Sequence, residues 1–144
     1  MLVRDLMNTN VVSVSPDEST TLAARLLYRH NVGSLPVCST DGRLRGIVTD
    51  RDIIMRCVAS ECDPAVTKVR EIMTRGVVSV APDTDLQTAG QLMASEQVRR
   101  LPVLDDGKIV GMLALGDLAK NQQYDMEAAK ALSEISENIR RFKC

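Results

Sequence analysis

No tryptophan occurs in this chain, and one phenylalanine with two tyrosines bring the aromatic share of its 144 residues to 2%. A core must therefore be built from Val, Leu, Ile, Met and Ala, and a hydrophobic content of 44% is enough to fill one. Aromatic platforms for stacking bases are missing, and the formal net charge is -1 with both signs interspersed. Together these argue against a nucleic-acid surface. The single histidine, His30, leaves no Ser-His-Asp or Cys-His set to propose, so nucleophilic catalysis has nothing to stand on. None of Cys38, Cys57, Cys62 and Cys144 forms a CxxC pair, so no metal site is expected. Cys38 and Cys57 read instead as small apolar residues of a reducing compartment. No apolar run is long enough to span a bilayer, and the N-terminal segment through Met7 carries an early acid, unlike a signal peptide. The expectation is a soluble, cytoplasmic protein.

What the chain does have is a duplication. Val3-Arg4-Asp5-Leu6-Met7 returns as Val69-Arg70-Glu71-Ile72-Met73, and Val11-Val12-Ser13-Val14 as Val77-Val78-Ser79-Val80. Leu35-Pro36-Val37 returns as Leu101-Pro102-Val103, and the Asp41-Gly42 turn as Asp106-Gly107, one residue closer. Within the first unit Val11–Val14 reads as a strand, and a helix follows from about Ser19 to Asn31. Leu35–Cys38 and Leu44–Thr49 are two further strands around the Asp41-Gly42 turn, and a second helix runs from Asp50 to about Ala59. Met7, Met55, Met73, Met93 and Met112 fall at apolar positions and read as core filler. The predicted fold is α+β: two β-α-β-β-α repeats, residues 1–62 and 63–121, packed sheet to sheet about a pseudo-two-fold axis. Residues 122–144 form a candidate C-terminal amphipathic helix. Ala128, Leu132, Ile135, Ile139 and Phe142 make its apolar stripe, which suits either packing on its own domain or a dimer seam.

Gly46-Ile47-Val48-Thr49-Asp50-Arg51-Asp52-Ile53 is a strand running directly into a helix. Thr49 and Asp50 are both good caps, with Asp50 expected to serve as one, and unpaired N–H groups at such a mouth attract an anion. A hydroxyl three residues before a carboxylate suits a phosphorylated sugar. Thr49 can donate to a phosphate or 5′ oxygen, and Asp52 can accept from two ribose hydroxyls.

With both copies carrying an h-P-V strand, and the first a G-h-x-S/T-x-x-D ending that the second repeats with alanine at the hydroxyl position, the chain resembles a pair of CBS domains, a Bateman module of the small stand-alone bacterial type. One copy is Leu35-Pro36-Val37 with Gly46 to Asp52, the other Leu101-Pro102-Val103 with Gly111-Met112-Leu113-Ala114-Leu115-Gly116-Asp117. The resemblance implies a non-catalytic regulatory module that holds AMP, ADP, ATP or S-adenosylmethionine in clefts between the repeats, with no required cofactor. It also implies that Thr49 meets the ribose-phosphate link and Asp52 the ribose. Val11, Pro36 and Ile47 would form the purine slot, and backbone near Asn10, Gly33 and Ser34 would read the adenine edge. Arg99 and Arg100, entering the facing strand, are the phosphate candidates; their other reading is a solvated strand end with a surface ion pair. A second, weaker site would be built from Val77, Pro102, Met112 and Asp117. There Ala114 replaces the hydroxyl, and losing one charge-assisted bond costs on the order of 1.5–3 kcal/mol. The expected partners are an adenosyl small molecule, a second copy of the chain in a homodimer and an unidentified regulated protein, with no nucleic acid or membrane. The competing reading is an interaction dimer with no physiological nucleotide.

Overall fold

The computed structural model describes residues 1–120; the amphipathic stripe expected over 122–144 lies outside them. The chain opens with the short helix α1 (Val3–Leu6), then the longer α2 (Thr20–His30). Ser19 caps α2, its Oγ accepting the Leu22 N–H at 3.1 Å. Asn31 closes it in the left-handed conformation, φ 51°, and Gln97 does the same at φ 55° for the second-copy helix. Strands β1 (Ser34–Cys38) and β2 (Leu44–Thr49) pair antiparallel, with Pro36 opposite Ile47 and Ser34 opposite Thr49. The register shifts between Val37 and Cys38. Gly42 takes φ 85° in the connecting turn, which is why the Asp-Gly pair works there. Helix α3 (Asp50–Ile53) follows without a break and passes into a π-helical turn, Ile54–Val58. Ala59 N–H to Ile54 O (2.7 Å) is its five-residue bond, and the segment closes about left-handed Glu61 (φ 60°) with Cys62 N–H on Cys57 O (2.9 Å) and Glu61 N–H on Val58 O (3.1 Å). The second copy supplies α4 (Val69–Ile72), α5 (Leu86–Glu96), β3 (Arg100–Asp105), β4 (Lys108–Ala114) and α6 (Leu115–Ala119), with β3 and β4 in a second two-stranded sheet.

The strand expected at Val11–Val14 is reduced to one parallel bridge, Val14 to Val37. Val14 N–H donates to Pro36 O (3.1 Å) and Cys38 N–H to Val14 O (2.9 Å). The next bond upstream would need an N–H from Pro36, and the next downstream one from Pro16; neither imide has one. The duplicate Val80–Val103 bridge is bounded in the same way by Pro82 and Pro102.

Two compact units result. One comprises Val12–Val77 with Asp106–Ile109; the other comprises Met1–Val11, Val78–Asp105 and, of the described residues, those from Val110 on. Packing thus draws its boundary elsewhere than the duplication does. In the first unit Val69, Ile72 and Met73, from the opening of the second repeat, share a core with Val14, Ala23, Leu27, Leu35, Val37, Val48 and Cys57. In the other, Val3 is buried with Leu86, Met93, Leu101, Val103 and Leu113. Backbone bonds repeat the exchange: Val69 N–H to Glu18 O and Val3 N–H to Thr84 O, at 2.9 and 2.8 Å.

The methionine expectation holds in part. Met73 and Met93 are core, and Met7 and Met112 are half-buried, but Met55 is 53% exposed. It lies on the π-helical turn beside Ile54 and Val58, which are exposed as well, while Cys57 takes the buried position of that turn. Cys38 is buried as expected, and burial pushes its thiol pKa up despite an opposing Ser13 hydrogen bond.

Candidate functional site

Thr49 is the last residue of β2 and the N-cap of α3. Its Oγ1 accepts the Asp52 N–H at 3.0 Å, and its own N–H donates to Asp52 Oδ2 at 3.0 Å. This reciprocal pair satisfies two backbone donors that the helix start leaves open. The cap is therefore Thr49 and not Asp50. Asp50 occupies the first helical position, where its carboxylate accepts the Arg51 N–H at 2.8 Å.

Asp52 is 7% exposed, the one charged side chain in the buried set of the described residues. Burial of a carboxylate demands partners, and the structure shows two that the sequence reading missed. Thr74 donates its hydroxyl to Asp52 Oδ1 and Oδ2 at 3.1 and 3.3 Å. The Arg56 Nε stands 3.9 Å from Oδ1. Thr74 is itself pinned by a backbone pair with Ile47, at 2.9 and 2.8 Å. Arg56 Nη1 donates to Ile72 O and Met73 O, at 3.1 and 3.0 Å, serving carbonyls that the end of α4 leaves without helical partners. Arg56 lies one helical turn past Asp52, a spacing visible in sequence. Thr74 lies 22 residues away, and only folding brings it there.

The arrangement leaves chemistry unspent. A carboxylate offers about four acceptor positions, and the internal partners of Asp52 do not fill them. Thr49 Oγ1 accepts, but among the described residues no acceptor takes its proton. A donor and an acceptor of the kinds a ribose phosphate needs thus stand at one strand end.

Six of the expected residues share this unit. Ser34 pairs with Thr49 and Pro36 with Ile47, and the Gly33 carbonyl accepts the Asp50 N–H at 3.1 Å. Gly33 itself has an ordinary backbone, and an added Cβ would meet only Asp50 Oδ2 at 3.6 Å. Asn10, Val11, Arg99 and Arg100 belong to the other unit. Arg99 and Arg100 are exposed, and among the described residues neither guanidinium has an ion-pair partner. Of the second set, Val77 lies in the first unit and Pro102, Met112 and Asp117 in the other. Ala114 N–H donates to Asp117 Oδ2 at 3.0 Å, matching the first copy. Among the described residues two of the first copy's supports are not repeated: Ala114 has no hydroxyl, and Asn8, the counterpart of Thr74, turns its Oδ1 to the Asn10 N–H at 2.9 Å. Asp117 is correspondingly half-exposed.

Residues 3–59 and 69–124 each match the family model of the CBS domain. The chain belongs to the CBS domain family. It is 46% identical over 134 residues to the CBS domain-containing protein YhcV of Bacillus subtilis (strain 168), across 93% of this chain and 94% of that protein. The CBS pair is also similar to two crystal structures with bound ligands. CBSX2 in complex with AMP has a TM-score of 0.72 and 31% identity, over 83% of this chain and 93% of that one. The CBS domain pair of protein MJ0100, in complex with 5′-methylthioadenosine and S-adenosyl-L-methionine, has a TM-score of 0.72 and 27% identity, over 83% and 94%. The tandem CBS pair and the α+β class expected from the repeats are thus both found.

Proposed function

We propose that this CBS pair is a non-catalytic regulatory module that binds an adenosyl ligand, AMP, ADP, ATP or S-adenosylmethionine, at the Thr49 end of β2. The observation that carries the reading is the pair formed by the uncommitted Thr49 hydroxyl proton and the anchored Asp52 carboxylate. A ligand meets these groups already oriented, so little entropy is lost in ordering them. Thr49 would donate to the ribose-phosphate link and Asp52 would accept from the ribose hydroxyls. Pro36 and Ile47 with Val11 would flank the purine, main chain at Asn10, Gly33 and Ser34 would read its edge, and Arg99 or Arg100 would meet the phosphates. The AMP and S-adenosylmethionine complexes of the two related structures support this ligand class. The site at Val77, Pro102, Met112 and Asp117 would be the weaker one, since it lacks the hydroxyl.

Calorimetry with AMP, ATP and S-adenosylmethionine tests the reading. Wild type should bind at least one of them below millimolar, and Thr49→Val should weaken that ligand about tenfold or more. Failure of all three to bind wild type below millimolar overturns the proposal. The second reading, an interaction dimer without nucleotide, draws support from the exposed Ile54, Met55 and Val58. It predicts a dimer in sedimentation whose dissociation constant is indifferent to these ligands.

A further inference from the structure

At the other end of β2 from Thr49, within the same unit, lies a cavity of about 480 Å³. Arg45, Arg70 and Arg75 line it together with Asp17, Ser39 and Thr40. Among the lining side chains three guanidinium groups stand against one carboxylate, and Asp41, which interacts with Arg45 from outside the lining, offsets only part of the positive excess. Only part of that charge is used internally. Arg70 Nη2 pairs with Asp17 Oδ1. Arg45 Nε donates to Ser39 Oγ at 3.2 Å, which fixes the arginine while leaving its terminal nitrogens without acceptors among the described residues. Arg75 makes no side-chain hydrogen bond or ion pair among the described residues. The Thr40 hydroxyl is likewise uncommitted, so a hydroxyl donor stands beside the guanidinium forks.

The duplication does not require this cluster. Position 45 is answered in the other repeat by Val110 and position 75 by Thr9. Nor does packing require it, because Arg45, Arg70 and Arg75 are all exposed. Guanidinium groups match phosphate oxygens in geometry, and they bind an anion that carries enough charge to offset their own desolvation.

We propose that this cavity is a second ligand site, separate from the one at Thr49, that binds a phosphate-class oxyanion carrying at least two negative charges. Arg45 and Arg75 are its principal charge donors, Arg70 adds the N–H groups left over from Asp17, and Thr40 supplies a hydroxyl. The site uses none of the groups assigned to the adenosyl ligand, so each can exist without the other.

The test is a titration of the full chain with inorganic pyrophosphate at constant ionic strength, followed by backbone-amide NMR. Saturable shifts are expected at Ser39, Thr40, Arg45 and Arg75. Arg75→Glu and Arg45→Ala should each weaken the binding about tenfold or more while leaving the spectrum elsewhere unchanged. A parallel titration with AMP distinguishes the source: saturation at the same amides by AMP as well identifies a nucleotide phosphate as an occupant, and saturation by pyrophosphate alone a free one. The absence of saturable shifts at these four residues with either probe overturns the proposal. So does an affinity that both variants leave unchanged.

Discussion

The Asp52 carboxylate is buried against three donors of different origin: the backbone of its own cap, a hydroxyl from the following repeat and a guanidinium one turn along. Removing the hydroxyl leaves part of a buried carboxylate without a donor. Thr74→Val should therefore cost about 1–3 kcal/mol in denaturant unfolding, and Thr74→Ser should recover most of it. An equal loss in both variants would mean that packing, not the hydrogen bond, is what Thr74 supplies. Asp41 makes a different point. Its pKa lies below the ordinary carboxylate value because the Ser39 hydroxyl and then the Arg43 N–H bond to its charged form, with smaller help from Arg45 and Arg43. A depressed folded pKa contributes stability that is present above the unfolded value, about 3.9, and is lost as pH falls through the folded one. Carbon-13 titration of Asp41 should show that low value, and Asp41→Asn should flatten the acid limb of stability only below about pH 4.

At the scale of elements, the two glycines that begin the strand-end motifs answer to different neighbours. A Cβ on Gly46 would meet the Thr74 carbonyl oxygen at 2.6 Å, and that oxygen is held in the Ile47 pair. A Cβ on Gly111 would meet the Met7 Sδ at 2.7 Å, the flexible end of a side chain, with the nearest backbone oxygen at 3.2 Å. Gly46→Ala should therefore cost about 1–3 kcal/mol and Gly111→Ala measurably less, as thermal or denaturant unfolding would show. Equal losses would contradict the rigidity assigned to the Ile47–Thr74 pair. The shortened first strands belong to this scale too. Prolines 16 and 36 were legible as residues, but their joint effect depends on the parallel register, in which both missing N–H groups fall on the same ladder.

For the molecule as a whole, the units that pack are not the units that repeat. A fragment of residues 1–62 follows the duplication but lacks Val69, Ile72 and Met73 from its core; a fragment of residues 12–77 contains them. The second should unfold cooperatively and the first should not, by circular dichroism in urea. In the full chain, Ile72→Ala, at 1% exposure, should cost about 2–5 kcal/mol. Cooperative unfolding of 1–62 alone would show that the exchanged helix is dispensable.

The amino-acid order alone determined the duplication, the helix and hairpin positions, the family resemblance and the Thr49–Asp52 motif, because each rests on spacing within a few residues or on recurrence at one offset. Thr74 on Asp52, the proline-bounded bridges, the arginine-lined cavity and the exchange of opening helices were decided only by tertiary structure. Each of those depends on which distant backbone lies alongside which, and residues such as Thr74 and Arg75 carry no local pattern that names the partner they will meet.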